Sequence, residues 1–203
     1  MSILPPRGPS PDPSGYPTVT VCWGAKGGSG TSVVTAALAL NAPPPVVLVD
    51  LAGDLPLVLG LPEPAGPGVH EWLASDAPAA QLHDLTIVAT DDVALLPAGT
   101  ARATAGRERW DDLVSALGSD GHTVLIDAGT GPPPADLHQL ADRTLLVTRA
   151  CYLALRRAIA APLRPSGVVL VSEHGRALRT VDVETAIGAP VVASVAVDPA
   201  VAR

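Results

Sequence analysis

The sequence predicts an α/β protein in which a mostly parallel central sheet is flanked by helices. A strand, a glycine-rich turn and a helix follow one another across residues 18–40. Later apolar runs, such as residues 46–49, are continuous instead of alternating, which is typical of buried parallel strands. Apolar residues make up 47% of the chain and Phe is absent, so Val, Leu, Ala and Ile must form the core.

The turn at residues 24–32 predicts an anion site. Four glycines, Gly24, Gly27, Gly28 and Gly30, permit left-handed backbone angles and a close approach of the main chain to a ligand. The helix that starts at Ser32 points its free N–H groups and the positive end of its dipole at the same place. Phosphate is the anion that such loops commonly bind.

Residues 25–32 read AKGGSGTS, close to the phosphate-loop pattern G-x-x-x-x-G-K-[ST]. Thr31 stands where that pattern has lysine, and Ser32 keeps the hydroxyl that binds magnesium. The stretch resembles the deviant phosphate loop, KGGxGK[ST], of the ParA/MinD family of ATPases, and Lys26 matches the signature lysine of that family. The resemblance implies a three-layer P-loop NTPase-like fold with ATP and Mg²⁺ as ligands.

Lys26 is the only lysine in the chain, because the other twelve basic residues are arginines. A glycine-rich turn tolerates many polar residues, so one reading is that this lysine is accidental. A phosphate site favours the other reading, since the lysine ammonium is compact and the arginine guanidinium is broad and planar. We favour the functional reading. The resemblance implies that Lys26 reaches the nucleotide of a partner copy in a nucleotide-dependent homodimer.

Two aspartates end predicted strands, where ligands bind in open α/β sheets. Asp50 follows the strand at residues 46–49 and matches the first carboxylate of the family's Asp-x-Asp, while Ala52 replaces the second. Asp54 offers two readings, a substitute for that second carboxylate or an N-cap of the next turn, and we favour the cap. Asp127 ends the run TVLID and matches the family's Walker B aspartate; capping of the next turn is the alternative.

The resemblance implies a complete set of site residues. Catalysis falls to Lys26 and Asp50, and the metal to Ser32 and Asp127. Nucleotide binding falls to Lys26, Gly27, Gly28, Ser29, Gly30, Thr31, Ser32 and, in the adenine pocket, Pro199. The implied function is a MinD/ParA-like protein for intracellular positioning of septum, chromosome or pilus machinery. Loss of the lysine and of the second carboxylate predicts weak ATP binding with slow or no hydrolysis.

Two other functions are weighed against this one. The first is a pseudo-ATPase scaffold that has the same fold and binds a partner protein without nucleotide. The second is a dinucleotide-dependent oxidoreductase, which the loop disfavours because its glycine spacing is GxxGGxG and the dinucleotide fingerprint is GxGxxG.

Apolar spacing predicts the remaining elements. The helices are expected at residues 68–75, 107–117, 151–161 and 181–187, with His70 and Glu71 facing solvent and Gly118 and Gly188 as C-caps. The strands are expected at residues 85–89, 93–96, 123–131, 140–148, 167–171 and 191–197.

The proline-rich segment 1–17 is predicted to be a disordered tail, and residues 18–203 a single domain without the C-terminal helix of the family. A net charge of −7 argues against a broad nucleic-acid surface. The sequence shows no signal peptide, no run of 18 apolar residues and no zinc spacing, so we expect a cytoplasmic protein without a membrane helix. Cys22 is expected to be buried in the first strand.

Overall fold

The computed structural model describes residues 18–119, 121–173 and 178–197, and these residues form an eight-stranded sheet with helices on both faces. The predicted tail at residues 1–17 and Pro199 lie outside the described residues. The strands are β1 (Val19–Gly24), β2 (Val46–Asp50), β3 (Ile87–Val88), β4 (Val93–Leu96), β5 (Thr123–Thr130), β6 (Arg143–Arg149), β7 (Gly167–Ser172) and β8 (Val191–Ala196). The helices are α1 (Thr31–Asn41), α2 (Leu55–Val58), α3 (Val69–Leu73), α4 (Gln81–Asp84), α5 (Arg107–Ser119), α6 (Ala135–Leu140), α7 (Tyr152–Ala160) and α8 (Thr180–Ile187).

The strand order is β3-β4-β2-β5-β1-β6-β7-β8, and every pair is parallel except the short pair β3–β4. β1 lies between β5 and β6, so the loop after β1 emerges at the middle of the sheet. In the register of β2 and β5, Asp50 pairs with Asp127. The predicted α/β class with a mostly parallel sheet is therefore confirmed.

Alternate residues of the strands serve two cores. Val47 and Val49 of β2 pack with α3 and α5 on one face, while Val46 and Leu48 pack with α1 and α2 on the other. The first face continues over β6 and β7, where α7 and α8 cover it. Because both faces are covered, the strands contain few polar residues, which explains their continuous apolar runs. Cys22 is fully buried in β1 as predicted, and burial raises its pKa to about 12.

Several local predictions were wrong in detail. His70 is buried instead of solvent-facing, because the chain at Ala103 covers α3 and its amide donates to His70 Nδ1 over 3.4 Å. Glu71 is partly buried and receives hydrogen bonds from Gly68, Thr100 and Ala101. Tertiary contacts with a distant segment therefore override the amphipathic reading of this helix.

Element ends also differ from the predictions. The helix predicted to stop before Gly118 continues to Ser119, whereas Gly188 is the left-handed C-cap that was expected, with φ 74°. The strand expected at residues 85–89 is reduced to Ile87–Val88, and α4 and α6 are short helices that the apolar spacing did not predict. In the described ranges, none of the helices has the length and hydropathy needed to cross a bilayer.

Candidate functional site

The loop between β1 and α1 is a compact turn built on two left-handed glycines. Gly28 and Gly30 have φ angles of 75° and 88°, which a side chain would strain. Ser29 Oγ donates to the carbonyl oxygen of Lys26 over 2.7 Å and closes the turn. The loop is tied to the end of β5, because Gly131 N donates to Gly24 O over 2.8 Å. The predicted strand, turn and helix are thus found together.

Thr31 lies beneath this turn. Its side chain is buried, and its hydroxyl oxygen would be 2.5 Å from a Cβ placed on Gly24. The first glycine of the loop must therefore be glycine, since any side chain there would collide with Thr31. A small hydroxyl thus occupies the space beneath the turn, at the position where the phosphate-loop pattern carries a lysine.

Lys26 is placed differently from the rest of the loop. Its ammonium nitrogen Nζ makes an exposed hydrogen bond to Gly27 O over 3.2 Å. The cleft beside the loop has a volume of about 270 Å³ and is lined by Gly28, Ser29, Gly30, Thr31, Ser32, Val33, Asp54, Leu57, Val58, Gly129 and Thr130. Neither Lys26 nor Gly27 lines it, and none of these lining residues is basic. Backbone N–H groups are therefore the main attraction that the cleft offers to an anion.

Asp127 has no exposed surface and precedes by two residues Gly129, which lines this cleft. Its Oδ1 accepts a hydrogen bond from Gly129 N over 2.9 Å, whereas its Oδ2 is buried without a partner of acceptable geometry among the described residues. Burial raises the pKa of Asp127, and the nearby Ser32 side chain and the Gly129 amide oppose that rise. A buried carboxylate oxygen without a partner is costly unless a ligand completes it.

Asp50 is equally buried but fully engaged. Its Oδ1 accepts from Ala52 N at 2.9 Å and from Gly53 N at 2.6 Å, and its Oδ2 accepts from Leu55 N at 3.1 Å. Burial raises the pKa of Asp50, and these three amides oppose the rise. The carboxylate therefore shapes the loop between β2 and α2, and both of its oxygens already accept hydrogen bonds from that loop.

Asp54 differs from the favoured reading. It occupies the N-cap position of α2, yet its side chain makes no capping hydrogen bond. Asp50 instead accepts the hydrogen bond from the Leu55 amide at the start of α2. Asp54 lines the cleft. Ala52 packs against the other loop, since a Cβ on Gly129 would lie 2.9 Å from the Ala52 Cβ.

Magnesium fits the residues that are present. Ser32 and the free Oδ2 of Asp127 offer oxygen ligands of the kind that Mg²⁺ prefers, and Asp54 adds negative charge that acts on Asp127. No group of three or more His, Cys, Asp or Glu side chains suited to a metal occurs within the described ranges. An Mg²⁺ ion that is bound beside a nucleotide takes most of its ligands from phosphate and water.

The apolar spacing of the sequence did not reveal that two polar side chains, Arg102 and His70, support the loop after β2. Arg102 donates from Nη1 to Leu51 O at 2.5 Å and from Nη2 to Ala52 O at 2.6 Å. His70 Nε2 lies 3.1 Å from the same Leu51 oxygen. These contacts join segments far apart in the chain, and the only sequence signal was the polar character of His70 and Arg102 themselves.

A second cleft of about 560 Å³ lies at the carboxyl ends of β7 and β8. Its lining includes Ser172, Glu173, Arg179 and Val197. Glu173 also forms an ion pair with Arg149 at the end of β6. Pro199, the residue expected in the adenine pocket, lies outside the described residues.

The fold and the loop together define the class, a P-loop NTPase-like α/β protein. No family model matches the chain, and no curated protein is similar to it in sequence. Solved structures show more: a ParA family ATPase from Chlorobium tepidum is 20% identical, with 91% of this chain and 85% of that one covered and a TM-score of 0.69. The fold is therefore that of the ParA/MinD ATPases, as the resemblance implied.

Two MinD structures are similar to the same extent. The MinC:MinD cell division complex from Aquifex aeolicus is 20% identical with a TM-score of 0.70, and 90% of this chain and 82% of that one are covered. The septum site-determining protein MinD from Pyrococcus horikoshii, complexed with Mg-ADP, is 22% identical with a TM-score of 0.68, and 91% and 83% are covered.

Proposed function

We propose that this chain is a ParA/MinD-like nucleotide-binding protein that binds Mg–ATP weakly and hydrolyses it slowly or not at all. The observation that carries the proposal is the buried Oδ2 of Asp127, which has no hydrogen-bond partner of acceptable geometry among the described residues and lies near Ser32, a residue that lines the cleft. A partnerless carboxylate oxygen next to a phosphate-type loop is explained by a cation that arrives with the nucleotide.

Weak binding follows from the charges. The cleft is lined by Asp54 and by no basic residue. The missing lysine would have made a charge-assisted contact worth about 1.5–3 kcal/mol, which corresponds to about ten- to a hundredfold in affinity. Slow hydrolysis follows because Ala52 carries no carboxylate and Asp50 is engaged by its own loop.

The biological role we propose is intracellular positioning in the cytoplasm, for example of septum, chromosome or pilus machinery. It is supported by the proteins that share the fold, which include a septum site-determining MinD, a MinC:MinD complex and plasmid partition proteins. In that role residues 18–203 would act as one domain and form a nucleotide-dependent homodimer. The exposed ammonium of Lys26 is free to reach the nucleotide of a partner copy.

A titration with a fluorescent ATP analogue, with and without Mg²⁺, tests the proposal. We expect saturable, Mg²⁺-dependent binding that is weakened by Lys26→Ala and only partly restored in Lys26→Arg, because arginine keeps the charge but its planar guanidinium is broader than an ammonium group. Thr31→Lys should tighten binding about tenfold if the turn accepts the longer side chain. Phosphate release at the background rate would leave a binder that does not turn over, and a flat titration of the wild type would exclude nucleotide binding.

One observation favours the second candidate, a pseudo-ATPase scaffold that binds a partner protein and no nucleotide. Thr31 fills the space beneath the turn and Lys26 does not line the cleft, so neither residue offers a cation to a phosphate in the cleft. A flat ATP titration together with an unchanged fold in Thr31→Lys would support the scaffold.

A further inference from the structure

The loop of residues 51–54, which joins β2 to α2, is held by hydrogen bonds from two sides. On one side its amide groups donate hydrogen bonds to the protein. Ala52 N and Gly53 N donate to the Asp50 carboxylate, and Leu51 N donates to Asp127 O over 2.9 Å. On the other side its carbonyl groups point to Arg102. A loop whose donors and acceptors are both satisfied by protein is expected to keep one conformation.

The Arg102 guanidinium makes two short hydrogen bonds to successive carbonyl oxygens, Leu51 O at 2.5 Å and Ala52 O at 2.6 Å. Two parallel donors on a rigid plane suit this arrangement, whereas a lysine ammonium presents a single point charge. Arg102 lies 51 residues from Leu51 in the chain, so the contact is purely tertiary.

Arg102 is itself held in place by its neighbours. Glu71 accepts hydrogen bonds from Thr100 N at 2.8 Å and Ala101 N at 2.7 Å, which fixes the chain just before Arg102. On the other side, Ala103 N donates to His70 Nδ1, which leaves His70 Nε2–H to donate to Leu51 O at 3.1 Å. The arginine and the histidine therefore act on the same carbonyl from two segments, α3 and residues 100–103, which hydrogen bonds tie together.

The loop of residues 51–54 forms part of the cleft beside the glycine-rich loop, here called the phosphate cleft. Asp54, at its end, lines the cleft together with Leu57 and Val58 of α2. Ala52, in its middle, packs on Gly129, whose amide donates to Asp127 Oδ1. A displacement of residues 51–54 would thus move the cleft wall and disturb the Asp127 carboxylate at the same time.

We propose that Arg102 is a positioning residue that sets the wall of the phosphate cleft opposite the glycine-rich loop. The inference rests on the proposed function, because it assigns the loop a part in binding Mg–nucleotide. Arg102 touches no reacting group and lines no part of the cleft. It acts through the carbonyl groups of Leu51 and Ala52 and so prepares the cleft before any ligand enters.

The test compares Arg102→Ala and Arg102→Lys with wild type and with the control Arg107→Ala. Arg107 is an exposed arginine that lies 3.7 Å from Asp136 and makes no contact with the loop. The first readout is amide hydrogen exchange at Ala52, Gly53 and Leu55 without nucleotide. We expect faster exchange in both Arg102 variants and wild-type exchange in the control, because lysine cannot bridge two carbonyl groups.

The second readout is the affinity for the fluorescent ATP analogue with Mg²⁺ and with a chelator. We expect Arg102→Ala to lower the affinity about tenfold with Mg²⁺, about 1.4 kcal/mol, and less than about twofold with the chelator. General damage to the fold would instead lower both affinities equally.

The outcomes separate the two proposals. Wild type that binds no nucleotide overturns the proposed function and, with it, the role of Arg102 in binding. Wild type that binds, with Arg102 variants that exchange and bind like wild type, overturns the inference alone. Equal loss of affinity with and without Mg²⁺, or faster exchange without any loss of affinity, also overturns it.

Discussion

Asp50 and Asp127 occupy paired positions near the carboxyl ends of β2 and β5, and neither has any exposed surface. Burial raises the pKa of both carboxyl groups. Their hydrogen bonds differ, because Asp50 accepts three backbone amides and Asp127 accepts one with its Oδ1 and leaves Oδ2 without a partner.

The path of the backbone explains this difference. After Asp50 the chain turns at once into α2, so the amides of Ala52, Gly53 and Leu55 fold back onto the carboxylate. After Asp127 the strand continues to Thr130, and only the Gly129 amide returns. Asp50 therefore stabilises its own loop, whereas Asp127 keeps an oxygen available for a ligand. In the sequence the two residues look alike, because each ends a buried apolar strand run.

The largest effect is expected from Asp50→Asn. The amide has a single oxygen, so its NH₂ group would face the Leu55 N–H, and a buried donor would lose its acceptor. We expect the free energy of unfolding to fall by about 2 kcal/mol, measured by urea denaturation. Unchanged stability in Asp50→Asn would show that the three hydrogen bonds contribute little, and the comparison would fail.

Asp127→Asn is expected to act in the opposite direction on stability. It removes a buried charge while its Oδ1 can still accept from Gly129 N. Without ligand we expect unfolding to require about 1 kcal/mol more than in wild type. The Mg²⁺-dependent part of nucleotide binding should disappear, because the neutral amide cannot replace the carboxylate as a ligand.

The two readouts for Asp127→Asn check each other. Higher stability with a lost Mg²⁺ response is the signature of a ligand-binding carboxylate that is strained in the free protein. Lower stability, or a Mg²⁺ response equal to that of wild type, would place Asp127 in the same structural role as Asp50.

A smaller effect is expected from Ser32→Ala. The Ser32 hydroxyl lies near Asp127, and Ser32 lines the cleft. Removing this hydroxyl would therefore remove one oxygen ligand of the proposed cation. We expect about fivefold weaker nucleotide binding with Mg²⁺ and little change with a chelator. Ser29→Ala is not a matched control, since Ser29 closes the turn. Ser119→Ala, at the end of α5, tests the loss of a distant, exposed hydroxyl that donates to Ala116 O of its own helix.

The smallest effect concerns Glu71, a carboxylate that is saturated with donors like Asp50. Desolvation acts to raise its pKa, but the hydrogen bonds from Gly68, Thr100 and Ala101 outweigh it and lower the pKa to about 2. A lowered folded-state pKa contributes stability above the unfolded value of 4.5, and this contribution is lost as the pH falls through about 2.

Glu71→Gln should therefore be less stable than wild type at neutral pH by about 0.5 kcal/mol, and the difference should shrink between pH 4.5 and about 2. Urea midpoints measured across that range provide the check. A difference that stays constant with pH would mean that the charge of Glu71 has no part in holding residues 100 and 101.

Much of the fold could be predicted because its signals are local. Continuous apolar runs located the strands of the parallel sheet, and the glycines of residues 24–30 located the turn that follows the central strand β1. Helix α3 shows the limit. Its spacing was read correctly for Val69, Trp72 and Leu73, while His70 was placed in solvent because the segment that covers it lies far along the chain.

The sequence by itself determined the class of fold, the position of the phosphate-type turn and the candidate aspartates, because strand runs and glycine spacing act within a few residues. Only the tertiary structure decided that Asp50 is engaged by its own loop, that Asp54 lines the cleft without capping α2, and that Arg102 holds the loop carbonyl groups. The physical reason is that a buried polar atom takes the partner that the folded backbone brings within hydrogen-bond distance, and neighbours in sequence do not reveal which one that is.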